Sequence, residues 1–205
     1  MASVERSPRA WQRMLSGRRL DLLDPSPLDV EISDIAQGLA RVARWNGQTS
    51  GGHAFSVAQH SLMVEEIIGR LSDASPETRL SALLHDAPEY VIGDMISPFK
   101  SVVGGGYKAV EARLEAAIHI RFGLPPVLPA ALKTLIKRAD QISAYFEATE
   151  LAGFDDKEAR AFFGPPRGIS RDMIDVSPRP ADEVQAIFLQ RFEAIEAMRR
   201  AKRGG

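Results

Sequence analysis

Ser56-Val57-Ala58-Gln59-His60-Ser61-Leu62-Met63-Val64-Glu65-Glu66-Ile67-Ile68-Gly69-Arg70-Leu71 sets Val57, His60, Val64, Ile67, Ile68 and Leu71 at the spacing of one helical face. The periodicity predicts a helix over this stretch with His60 on its buried stripe. Downstream, Pro76 suits the first turn of a second helix whose apolar face is Leu80, Leu83, Leu84 and Ala87, and Pro88 kinks or ends it. Ser97-Pro98 and Gly104-Gly105-Gly106 break the chain. A helix from about Tyr107 to Phe122 then runs into the stop signal Gly123-Leu124-Pro125-Pro126, and a long one from Pro129 to about Leu151 turns Leu132, Leu135, Ile136, Ala139, Ile142 and Phe146 inward, with Gly153 closing it. Residues 154–181 are rich in Gly, Pro and charge and read as a long loop with at most one helical turn. A final helix spans about Ala181 to Arg200, and Arg199-Arg200-Ala201-Lys202-Arg203 continues it into a solvated tail. Upstream, Ser33 or Asp34 caps a helix carrying Ile35, Leu39, Val42 and Ala43 that stops near Asn46-Gly47. Gln48 to Ala54 is a loop, residues 17–30 an extended or turning connection, and residues 8–16 a short first helix. The expected fold class is all-α, one helical domain over 1–205.

At 205 residues and 44% hydrophobic content the chain is long enough to bury a genuine core. With no cysteine, disulfide scaffolds, thiolate zinc sites and cysteine nucleophiles are excluded. The first fifteen residues hold no uninterrupted apolar run, and no segment approaches the roughly 20 apolar residues of a membrane span, so a cytoplasmic protein is the default expectation. A formal net charge of −1 argues against bulk attraction to a nucleic-acid polymer or an anionic membrane.

The chemistry-bearing run is His85-Asp86-Ala87-Pro88-Glu89, followed by Asp94, with His60 before it and Asp140 after it. Two imidazoles and two carboxylates make a mixed nitrogen and oxygen set suited to a catalytic divalent ion. If the helix persists through this run, His85 and Glu89 share a face. His60 and Asp140, on or beside the apolar stripes of two other helices, would complete the set, because a charged Asp facing a core is costly unless paired or metal-bound. Each residue also has a plainer reading. His60 can be a hydrogen-bonded core histidine, Asp140 a salt-bridge partner of Lys137 or Arg138, Asp94 a turn residue, Trp45 a packing residue and Lys100 a solvated lysine.

In order and spacing, Arg44-Trp45, His60 within Ser56–Leu62, His85 to Asp94, Ser97-Pro98-Phe99-Lys100 and Lys137-Arg138-Ala139-Asp140 resemble the HD-domain phosphohydrolases. They are most similar to the bacterial 5'-deoxynucleotidase YfbR group and related phage deoxyadenosine triphosphate hydrolases. The resemblance covers about residues 34–150. It implies an all-α HD helical bundle with a divalent ion (Mn, Co, Fe, Ni or Zn) held by His60, His85, Asp86 and Asp140. It further implies Glu89 and Asp94 as catalytic carboxylates, and Arg44, Trp45 and Lys100 at the nucleotide's phosphate and sugar. The implied activity is metal-assisted hydrolysis of small nucleotides, (deoxy)nucleoside 5'-monophosphates to nucleoside and phosphate, without a nucleic-acid polymer or membrane as partner, with a homodimer as an open option. Apart from the resemblance, which does not reach them, residues 154–181 have Gly164, Pro165, Pro166 and Gly168 in a charged run that suits an ordered but movable segment with a lid-like contribution. Triphosphate hydrolysis is one alternative, and a degenerate HD domain acting as a nucleotide-binding module is another. Cyclic-nucleotide hydrolysis is disfavoured because only four histidines are present.

Overall fold

The computed structural model describes residues 9–96 and 106–204; Lys100, the Ser97-Pro98 step and most of the triple glycine lie outside them. Among the described residues a hairpin of β1 (Trp11–Arg13) and β2 (Arg19–Asp21) precedes eight α-helices. These are α1 (Ile32–Leu39), α2 (Val57–Leu71), α3 (Pro76–Leu83), α4 (Glu89–Ile92), α5 (Gly106–Arg121), α6 (Ala130–Glu150), α7 (Asp156–Phe163) and α8 (Ala181–Gly204). The fold class is all-α.

Helix α2 is the axis of the packing. Ser56 caps it, its hydroxyl accepting the Gln59 N–H at 3.3 Å. Val57 and Ala58 enter one apolar cluster with Leu80, Leu83, Leu84 and Phe188. Met63, Val64, Ile67 and Ile68 enter a second with Ile136, Ile142 and Phe146. A helix apolar round so much of its circumference must be covered on several sides, and α1, α3, α6 and α8 do so. Buried Glu65 adds an ionic clamp, accepting from Arg79 on α3 and from Arg191 on α8.

Several boundaries differ from the sequence reading. The first helix expected over 8–16 is instead the hairpin. Gly17, at φ 89°, makes its turn, and buried Asp34 accepts both the Ser16 N–H at 2.9 Å and the Ser16 hydroxyl. The guanidinium carbons of Arg9 and Arg19 lie 4.3 and 4.6 Å from the centre of the Trp11 ring. These contacts lie outside the window in which helical periodicity is visible. Helix α1 ends at Leu39 rather than near Asn46-Gly47, because the chain turns to form the Ala43–Ser56 bridge against the start of α2. Residues 154–181 hold a two-turn helix, α7, started by a capping box in which Asp155 accepts the Glu158 N–H and Glu158 accepts the Asp155 N–H. Beyond it Ile169, Ile174 and Val176 are buried in the second cluster, so the segment is anchored. The basic end is not uniformly solvated either. Arg199 is buried, donating to the Phe122 and Gly123 carbonyls at 2.8 and 3.1 Å and thereby capping the C-terminal end of α5.

Gly38 of α1 sets the position of α4. A Cβ there would fall 2.7 Å from the Tyr90 carbonyl oxygen and 2.8 Å from the Tyr90 Cβ. Gly38→Ala is therefore expected to destabilise the protein by about 1–3 kcal/mol, despite alanine's better helix propensity. It should also displace α4, whose first residue is Glu89. Chemical denaturation checks this, and unchanged stability would contradict the close approach.

Candidate metal centre

Two helices and one turn bring the candidate ligands together. His60 lies in the first turns of α2, His85 and Asp86 in the turn between α3 and α4, and Asp140 in the middle of α6. The condition under which His85 and Glu89 would share a helical face, a helix continuing through both, is not met. Helix α3 ends at Leu83, and residues 84–88 continue in tight turns closed by Ala87 N–H to Leu84 O and Glu89 N–H to Asp86 O, both 3.0 Å. Pro88, which brings no N–H, fits this break. In such i to i+3 winding, residues three apart are in register. Glu89 therefore follows Asp86 by one such turn.

His60 Nε2 lies 3.3 Å from His85 Nε2, 3.4 Å from Asp86 Oδ2 and 3.3 Å from Asp140 Oδ1. His85 Nε2 lies 3.2 Å from Asp86 Oδ2. His60, His85 and Asp86 form a group able to hold a metal ion, with one ligand atom from each within 4.8 Å of the others. Asp140 stands at its edge, one oxygen toward His60 and the other accepting from Lys137 Nζ at 2.7 Å. The salt bridge to Lys137 and the approach to His60 coexist. Ligands about 2.0–2.2 Å from an ion at ordinary angles are roughly 2.8–3.6 Å apart, and the four separations fall in that range.

The protons point the same way. His60 Nδ1 donates to Glu147 Oε1 at 2.6 Å, and His85 Nδ1 donates to the Ala82 carbonyl at 2.8 Å. Both bonds assign the lone pair of the neutral ring to Nε2, the atom that faces the group. Two ring nitrogens and two carboxylates thus converge on a space that favours positive charge. Burial and the Arg44 guanidinium press the His60 imidazole down, but Glu147, Asp140 and Asp86 outweigh them and hold it well above the usual histidine range. Burial raises Asp86 and Asp140, yet the two histidines hold both below the usual carboxylate range.

Arg44 and Trp45 sit in the 3-10 turn Arg44–Gly47 between α1 and α2, where Trp45 (φ 58°) and Asn46 (φ 50°) are both left-handed. Such residues cost of order 1–3 kcal/mol each and gather at functional sites. Arg44 Nη1 approaches Asp94 Oδ2 at 3.5 Å, its Nε donates to Glu147 Oε2 at 3.1 Å, and Trp45 Nε1 donates to the same oxygen at 2.9 Å. Trp45 also packs on Phe154 and Phe163, ring centres 5.6 and 5.9 Å away, so the packing reading of this residue holds alongside its bond to Glu147. Glu89 is 3% exposed and opens α4, and Tyr107 feels the charges of Glu89, Asp94 and Asp86 together. Lys100 lies outside the described residues.

The sequence reading passed over Ser143 and Glu147. Glu147 is fully buried and takes donors from His60, Ser143, Arg44 and Trp45. Burial raises it, but Arg44 and His60 hold it down at about 2. Asp140, Ser143 and Glu147 follow each other at i, i+3 and i+7 on α6, a polar line within an apolar helix that was legible in principle.

An all-α protein with a two-histidine, one-aspartate group able to hold a metal ion is the class that fold and site define. No family model matches the chain. It is 57% identical over 188 residues to a protein of Rhodobacter capsulatus named only as uncharacterised, covering 91% of this chain and 96% of that one. It is also 32% identical over 173 residues to the uncharacterised protein YfdR of Escherichia coli, covering 84% and 88% respectively. The chain belongs to the family of these two proteins. Among the described residues no helix is long and apolar enough to cross a membrane.

Proposed function

We propose that the chain is an HD-type metal-dependent phosphohydrolase that converts small nucleotides, (deoxy)nucleoside 5'-monophosphates, to nucleoside and phosphate. The observation that carries this reading is the convergence of the His60 and His85 Nε2 atoms with the Asp86 and Asp140 carboxylates, next to the partly buried cation Arg44. His60, His85, Asp86 and Asp140 would hold the ion, and a nitrogen and oxygen set of this kind suits Mn, Fe, Co, Ni or Zn better than Ca. When bound, such an ion supplies Lewis acidity toward a phosphoryl oxygen and makes water more acidic.

The chain's own groups account for the rest. Arg44, held by Glu147 through Nε and approached by Asp94 at Nη1, would offer its terminal nitrogens to phosphate oxygens. Glu89 accepts the proton of the attacking water as its oxygen bonds to phosphorus. As the bond from phosphorus to the sugar 5'-oxygen breaks, Asp94 or Glu89 returns a proton to that oxygen. Trp45, fixed by its indole N–H, forms a wall for the sugar.

Arg44→Lys is expected to weaken turnover of nucleotides although the charge is kept, because an ammonium cannot hold Glu147 and fork a phosphate at once. An uncharged phosphate ester mimic should be little affected. Equal kinetics for the two proteins would remove Arg44 from the site. The reading as a whole is tested by a panel of nucleoside mono- and triphosphates with phosphate, pyrophosphate and tripolyphosphate resolved. Phosphate from monophosphates supports it, tripolyphosphate from triphosphates replaces the substrate class, and no product from any nucleotide overturns it.

A further inference from the structure

We propose that Glu147 is a positioning residue that couples cation occupancy at His60 to the setting of Arg44 and Trp45. The two oxygens of this carboxylate divide their work. Oε1 accepts from His60 Nδ1 at 2.6 Å and from Ser143 Oγ at 2.8 Å. Oε2 accepts from Arg44 Nε at 3.1 Å and Trp45 Nε1 at 2.9 Å. One rigid, planar group, fully buried, therefore stands between the ion's first imidazole and the two residues assigned to the nucleotide.

The coupling follows from charge. A cation at His60 Nε2 changes how strongly Nδ1 donates to Oε1, the bond that backs a histidine ligand. The share of the Glu147 charge left on Oε2 for Arg44 and Trp45 changes with it. The left-handed turn at Trp45 and Asn46 aims the indole N–H at this carboxylate. Phe154 and Phe163 hold the other side of the ring, so a change at Oε2 is registered at Trp45 rather than dissipated in solvent. Arg44 and Trp45 would thus be set differently when the ion is present and when it is absent.

This inference rests on the proposed metal site and uses a test that needs no turnover. The chain has two tryptophans, so Trp11→Phe leaves Trp45 as the single emitter. Metal-stripped Trp11→Phe protein is titrated with Zn²⁺ alone while heat and Trp45 emission are followed together, and the emission is expected to change in step with the heat. Glu147→Gln in that background presents an amide whose NH₂ end must face an N–H donor on one side. Heat of binding should persist with affinity lowered about 10–100-fold, and the emission change should vanish. Ser143→Ala leaves both carboxylate ends in place and should keep the emission change.

Should Glu147→Gln fail to fold, Glu147→Asp decides by the same readout, since it retains the charge that Arg44 requires but is too short to serve both sides. Emission that follows Zn²⁺ in the Glu147 variants, or that stays silent in the Trp11→Phe parent at saturation, overturns the coupling. Coupled emission in a protein that hydrolyses no nucleotide would sink the phosphohydrolase reading and leave this one standing. Absence of any Zn²⁺ binding overturns both.

Discussion

Asp86→Ala is expected to abolish metal binding and turnover together. Asp86 supplies the carboxylate of the three-residue group, its Oδ2 lying 3.2 Å from His85 Nε2 and 3.4 Å from His60 Nε2. Without it the two imidazoles remain with Asp140, whose second oxygen is engaged by Lys137. Two imidazoles with one shared carboxylate bind a divalent ion far less well than the full set. The side chain is 24% exposed and follows the end of α3, so its removal leaves the two apolar clusters intact and the variant should fold. Elemental analysis after dialysis, set beside phosphate release, checks the result. An Asp86→Ala protein that retains about one ion per chain would take Asp86 out of the site.

Glu89→Ala should behave differently, keeping the ion and losing about 10²–10⁴-fold in kcat, the usual share of a positioned proton-transfer group. Glu89 lies outside the three-residue metal group, one tight turn after Asp86. It is buried at the head of a helix whose place is set by the close approach of Gly38 to Tyr90. Parallel metal analysis and single-turnover kinetics separate the two variants. Loss of the ion in Glu89→Ala would make Glu89 a ligand and reverse the assignment of roles.

How much of this was legible in the chain depends on how far each residue's partners lie from it in sequence. Helices α2 and α6 could be read nearly to the residue because their apolar periodicity, the Ser56 cap and the flanking prolines act within a few positions. The hairpin at Trp11 could not, since Asp34 and the arginines around the ring set it from a distance. The turn at residues 84–88 was hidden by an apolar pattern that still looks helical, and only Pro88 marked the break. Helix α7 did carry a local sign, the pairing of Asp155 with Glu158, but its surroundings of glycine and proline masked it. Among the site residues, His60, His85, Asp86 and Asp140 were recognisable by residue type. Glu147 was not, because a lone glutamate on a long helix means nothing until the left-handed turn at Trp45 and the Nδ1 of His60 are seen to meet it.

The most direct measurement is phosphate release from a deoxynucleoside 5'-monophosphate by metal-stripped protein as Mn²⁺ or Co²⁺ is added back. The account predicts no release before addition, activity that rises to a plateau near one equivalent of ion per chain, and none in Asp86→Ala at any ion concentration. Release that persists under chelation and in Asp86→Ala, or no release with any first-row divalent ion, would contradict it.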